Sequence, residues 1–172
     1  MKYLKLLAKL DQGNKDKELR MFKKHSERKV RDVVAEVLYN LMTIEPNTEK
    51  SGMNQSPYRQ KTFKDMEEHK KLWNVKDKLL YSDEETIALG DEKFRFIKDN
   101  FKCQGFGADL VDQIVALDTL LEETDKQNEE TAKLDYDESL KKTPLTVKEY
   151  YEGLGLKIII KEDPKEKEEA SV

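Results

Sequence analysis

His25 and His69 are the only two imidazoles in the chain, and they stand 44 residues apart. A helical metal site needs a second His or Cys three or four positions away, and neither histidine has one. Glu67 and Glu68 precede His69, which is ordinary composition for a solvated helix face. Cys103 is the single thiol, next to Lys102 at the end of an apolar stretch. A nucleophilic cysteine needs a histidine base and a lowered pKa, and no histidine stands near it in the sequence. One thiol also excludes an intramolecular disulfide. With 36 acids in the chain, pairs such as Glu84/Glu85 and Asp109/Asp112 say nothing about general acid–base work. No G-x-x-x-x-G-K-[ST] is present. Gly105-Phe106-Gly107 lacks both the third glycine and the preceding strand of a dinucleotide loop, and reads as a turn. The residues therefore carry no catalytic, cofactor or metal set, and they point to a binding protein rather than an enzyme.

Charge is distributed unevenly. Residues 1–31 hold eleven Lys or Arg against four acids, a local charge of +7. Arg20, Lys23, Lys24, Arg28, Lys29 and Arg31 crowd one stretch of it, with Phe22 and His25 between them. Phosphate contacts from such residues would give salt-sensitive, non-specific nucleic-acid affinity. That is the alternative reading, because acids are interspersed and the pI is about 5.5. Residues 122–138 hold eight acids against two lysines, a local charge of −6. A dipolar chain of this kind can pair head to tail, or offer different faces to two neighbours.

The elements that must position these residues are mostly helical. Hydrophobic residues are 37% and charged residues 40%, against about 45–50% and about 25% in typical globular chains. The core must be small for the length. The longest apolar run, around Ile158-Ile159-Ile160, falls far short of the roughly 20 residues of a membrane span. The N-terminus interleaves lysine with leucine, unlike a signal peptide. No membrane role is expected.

Residues 1–14 read as an amphipathic helical arm with Tyr3, Leu6, Leu7 and Leu10 on one face, which must dock either onto its own domain or onto another chain. Residues 15–122 read as a helical core domain. Its strongest stripe is Val30, Val33, Val34, Val37, Leu38 and Leu41, stopped by Pro46. Leu19 and Phe22 either extend this helix backwards through the basic stretch, or Ser26 caps a new helix there. A polar loop follows over 47–61. A capping box at Thr62–Asp65 then opens a helix in which Phe63, Met66, Trp73 and Leu80 form one stripe, interrupted near His69–Lys71. Leu72, Val75 and Leu79 lie beside it. Trp73, the only tryptophan, is expected to anchor the core. Residues 81–90 fit either a helix start or a short strand. Phe94, Ile97 and Phe101 should face inward from the next helix, and Leu110, Ile114, Leu117 and Leu121, flanked by Val111 and Val115, from the one after. Residues 123–143 read as an acidic linker or a frayed extension of the preceding helix. Residues 144–162 form a helix–strand extension, with a second capping box at Thr146–Glu149, and 163–172 a charged tail. The strand Leu156–Ile160 needs a partner for its backbone. Residues 85–89 or another chain are the candidates.

Leu79-Leu80 to Leu89, then Asp91-Glu92-Lys93-Phe94-Arg95-Phe96-Ile97-Lys98, then Gly105-Phe106-Gly107 and Leu110–Asp118 form a recognisable succession. Over residues 30–122 it resembles small helical structural or accessory proteins of tailed bacteriophages. The resemblance implies a virion component or assembly factor without cofactor, in the virion or the host cytoplasm. It carries no catalytic residue.

The expected fold is thus mainly α, a helical bundle or hairpin array with an N-terminal helical arm and a small C-terminal α/β extension. The expected function is a non-enzymatic structural or assembly protein. Its contacts with other protein subunits are expected from Tyr3, Leu6, Leu7 and Leu10, and from Leu156, Ile158, Ile159 and Ile160.

Overall fold

A computed structural model describes residues 1–8, 18–47, 56–101 and 110–164. Leu10, Lys15, Lys17, Cys103 and the Gly105–Gly107 turn lie outside the described residues. Along the chain come β1 (Lys2–Lys5), β2 (Glu18–Phe22), α1 (Lys23–Ser26), α2 (Val30–Thr43), β3 (Ile44–Pro46), β4 (Tyr58–Gln60) and α3 (Met66–Leu80). There follow β5 (Thr86–Leu89), α4 (Asp91–Asn100), α5 (Val111–Lys126), α6 (Glu129–Ser139), α7 (Val147–Gly153) and β6 (Lys157–Lys161). The protein is mainly α-helical, with three two-stranded sheets among the described residues.

The valine–leucine stripe of α2 is the centre of the core. Val30, Val34, Leu38 and Leu41 are buried, and Val33 and Val37 flank them. Phe94 and Ile97 of α4 reach the same core, with Phe101 just beyond, as their spacing predicts. In α5 the core takes Ala116, Leu117 and Leu121, while Val111 and Val115 are exposed. Their expected widening of the stripe does not occur. Each fully buried Leu, Ile or Phe of this set stabilises the fold by about 1.5–3 kcal/mol through burial alone.

The first eight residues differ from the sequence expectation. They form no helical arm. β1 pairs antiparallel with β5, Lys2 opposite Leu89 and Lys5 opposite Thr86. Leu4, Leu6 and Ala8 alternate into the core, and Tyr3 is buried on the opposite side. A strand buried on both faces shows no clean period of two, and a short apolar run then imitates a helix face. Residues 81–90, ambiguous in sequence, supply the strand that β1 needs.

Beyond β1 the sheet is closed by side chains. Gln127 accepts from the Tyr3 N–H at 2.7 Å and donates to the Tyr3 carbonyl at 3.0 Å. One amide side chain thus satisfies the outer edge as a neighbouring strand would. Of the two readings of the acidic stretch, linker or frayed helix, the helical one is nearer: α5 runs to Lys126, and a separate helix, α6, lies against β1 and β5. The Tyr3 and Tyr136 rings are 5.2 Å apart. The Tyr136 hydroxyl donates to Glu84 at 3.1 Å. Burial first, and the Glu84 carboxylate second, hold its pKa above the usual tyrosine value. α4 and α5 are joined by Lys98, which meets Glu122 at 2.9 Å and Asp125 at 2.8 Å. The hydrogen bond to Asp125 does most to raise the Lys98 pKa, with the bond to Glu122 next. Bonding to Lys98 lowers both carboxyls.

Both predicted capping boxes mark helix starts, one with a shift. Thr146 and Glu149 cap α7 reciprocally. At α3 the cap is Asp65, which accepts from the Glu68 N–H at 2.9 Å, while the Glu68 carboxylate accepts from the Lys64 N–H at 2.8 Å. The polar stretch expected as a loop over 47–61 contains β4, paired antiparallel with β3.

Candidate protein-binding surfaces

β6 finds a mate within the chain, but neither expected one. It pairs in parallel with β2, Leu19 opposite Ile158 and Met21 opposite Ile160. Opposed residues point to the same side of a sheet. One face of this ribbon is therefore Leu19, Met21, Ile158 and Ile160. The other carries Glu18, Arg20 and Phe22 against Lys157, Ile159 and Lys161. None of these ten residues is buried. Phe22 is 40% and Ile160 39% exposed. Parallel strands ordinarily have both faces covered, and a lone two-stranded ribbon is marginal in water.

The ribbon is tethered rather than embedded. α7 and α1 pack beside it. The tether to the main core is local: the Val30 N–H donates to the Leu145 carbonyl at 2.9 Å, and the Val147 N–H to the Arg28 carbonyl at 2.8 Å. Tyr150 packs against the core, and its hydroxyl donates to the Leu7 carbonyl at 3.4 Å. Burial raises its pKa. No apolar residue of the ribbon belongs to the core cluster or packs against it.

A second apolar surface lies on α3. The helix has two competing stripes, and the core takes Val75 and Leu79, with Leu72 and Leu80 half-buried. The stripe of Met66 and Trp73 is left outside. Trp73 is 66% and Met66 69% exposed, so the tryptophan does not anchor the core. Between them and Tyr39 of α2 is an open cleft of about 670 Å³. His69, Lys70 and Lys76 stand on its rim. The Lys76 ammonium sits 5.7 Å from the Tyr39 ring centroid, a cation–π distance. The interruption at His69–Lys71 was the sequence signal that this stripe faces water.

The residues expected to meet a partner thus divide. Tyr3 and Leu6 are buried in their own core, and Leu7 is half-buried against it. They are not available as a docking face, because β5 and α6 already cover them. Leu10 lies outside the described residues. Leu156, just before β6, and Ile158 and Ile159 within it are half-buried, and Ile160 is exposed.

The basic residues do not share one helix. Arg20 lies in β2, Lys23 and Lys24 in α1, and the chain between α1 and α2 breaks the expected continuous helix. Those three are exposed and Lys29 is half-buried. Arg28 is paired with Glu36 at 2.7 Å. Arg31 is 1% exposed and leaves the candidate nucleic-acid set. Its guanidinium donates to the Glu84 carbonyl at 3.0 Å, the Leu79 carbonyl at 2.8 Å and the Asp32 carboxylate at 2.8 Å. The Leu79 carbonyl belongs to the last turn of α3, where acceptors have no helical partner. Arg31 therefore ties α2 to the end of α3 and to the approach to β5.

Among the described residues no group of three potential metal-ligating side chains comes together, and no helix is long and apolar enough to cross a membrane. The Trp73 cleft is open, its walls are apolar and its rim is cationic, which suits docking of a surface rather than enclosure of a small substrate. No protein-family model, curated protein or solved structure matches the chain.

Proposed function

We propose that this protein is a non-enzymatic structural or assembly component, and that the β2–β6 ribbon is a surface it presents to a neighbouring subunit. The observation that carries the reading is the ribbon itself. Leu19, Met21, Ile158 and Ile160 form an apolar face, and none of the four is buried. An apolar sheet face of this kind is stabilised when another surface removes it from water. In the phage reading of residues 30–122, that surface belongs to another subunit of a particle.

The test is the double variant Met21→Lys with Ile160→Lys. Because neither side chain is buried, unfolding stability should change by no more than about 0.5–1 kcal/mol. Binding of a dye that fluoresces on exposed apolar surface should fall sharply. A loss of roughly 3 kcal/mol or more, with dye binding unchanged, would show that the face serves its own chain's core and would remove the reading.

Nucleic-acid binding is the second reading, resting on exposed Arg20, Lys23 and Lys24. Three dispersed cations give few phosphate contacts. Duplex or single-stranded nucleic acid bound at low salt, and released steeply as salt rises, would favour it over assembly.

A further inference from the structure

The Trp73 cleft has a chemically matching surface elsewhere on the same chain. α6 presents Leu134 outward, 66% exposed. Its neighbours on the helix surface, one turn before and one turn after, are Glu130, Asp137 and Glu138, all exposed. Lys133 is the one cation of α6. The opposite side of α6 is committed, since Tyr136 is held against Tyr3 and Glu84. α6 therefore offers an apolar knob within a ring of carboxylates. The cleft offers the inverse, an apolar hollow between Trp73, Met66 and Tyr39 with Lys70, Lys76 and His69 on its rim. Among the described residues no ion pair occupies Lys70. α3 also carries Glu67, Glu68 and Asp77, of which Glu67 is paired with Lys71.

We propose that the cleft receives the outer face of α6 from a second copy of this chain, so that copies associate head to tail. This deepens the assembly reading and rests on it. Leu134 seats against the Trp73 indole, with Glu130 and Glu138 toward the lysines, a helix laid in a groove. Within one molecule both surfaces remain exposed, so the match is unmet there. The two patches differ, and a bound pair leaves one cleft and one α6 face free. Such a contact closes into a ring or extends as a filament. One helix in one cleft lies at the small end of specific interfaces, so each contact is weak and salt-sensitive.

Charge reversal on the intact protein tests it. One variant carries Lys70→Glu and Lys76→Glu, the other Glu130→Lys and Glu138→Lys. Sedimentation of the wild type should show mass rising with concentration at low salt, accompanied by a change in emission from Trp73, the only tryptophan. Each variant alone should associate about tenfold more weakly, a change of about 1.4 kcal/mol. Mixing the two should restore association, because each cleft then meets an oppositely charged helix. Leu134→Ala should weaken the wild-type contact without altering helical circular dichroism. A wild type that stays at one monomer mass at every concentration overturns the proposal. So does association that both charge variants retain. If association is instead lost only in the Met21→Lys/Ile160→Lys variant, the head-to-tail contact fails while the ribbon reading stands.

Discussion

Arg31 and Trp73 show how little residue type alone decides. Arginine is expected outside and tryptophan inside, and here each is reversed. Arg31 is buried because three acceptors meet its planar fork, two of them carbonyls that would otherwise go unpaired. Trp73 is outside because Val75 and Leu79 occupy the core-facing side of α3. The two therefore predict opposite outcomes on truncation. Arg31→Ala leaves the Leu79 and Glu84 carbonyls unsatisfied and opens a void, and should cost about 2–4 kcal/mol in chemical denaturation. Trp73→Ala should cost under about 1 kcal/mol, against the roughly 3–5 kcal/mol of a core tryptophan. Equal losses for both would contradict the burial pattern. Nothing in the local sequence distinguishes Arg31 from Arg28, since the acceptors that bury it come from residues 79 and 84, about fifty positions later. That is why Arg31 was placed with the exposed cations.

At the scale of elements, long periodic segments were legible and short ones were not. α2 and α4 stand where their patterns place them, because several turns of consistent spacing leave one face to bury; the short α7 was legible through its Thr146–Glu149 capping box instead. β1 imitates a helix in sequence because both of its sides are buried. β2 fits a backward extension of the α2 helix as well as it fits a strand, because its mate lies more than a hundred residues away, where no local pattern reports it. The acidic stretch after 122 has too few apolar residues to decide between a linker and a frayed helix. It is helical because Asn128 accepts from the Thr131 N–H at α6 and Tyr136 supplies the anchor. The α4–α5 clamp makes a prediction at this scale. Glu122 and Asp125 titrate below their ordinary range, so their contribution to stability is present above about pH 4–4.5 and is lost as pH falls through the lower folded values. Lys98 titrates above its ordinary value, so its share persists up to about pH 10.4 and is lost beyond it. The variant Glu122→Gln with Asp125→Asn should be less stable at neutral pH and lose less stability on acidification. Identical acid limbs in variant and wild type would contradict the clamp.

At the scale of the whole molecule, the core unites β1, β5 and helices α2 to α5, while the β2–β6 ribbon stands on a short tether beside it. Among the described residues marked for a partner in the sequence, those of the C-terminal strand lie outside the core, while Tyr3, Leu6 and Leu7 are in it or against it. The cleft around Trp73 and the knob at Leu134 were not legible, because exposure is a property of the assembled fold. An assembly role accounts for both uncovered surfaces together, since a highly charged chain with a small core would otherwise carry apolar faces that stabilise nothing. The most direct measurement is amide hydrogen exchange in dilute solution, where self-association is negligible. The ribbon should open locally at little free-energy cost, so amides of 18–22 and 157–161 should exchange orders of magnitude faster than those of 2–5 and 86–89. Ribbon amides in the dilute monomer protected as strongly as the β1–β5 amides would show that the chain already satisfies them, and would contradict the account.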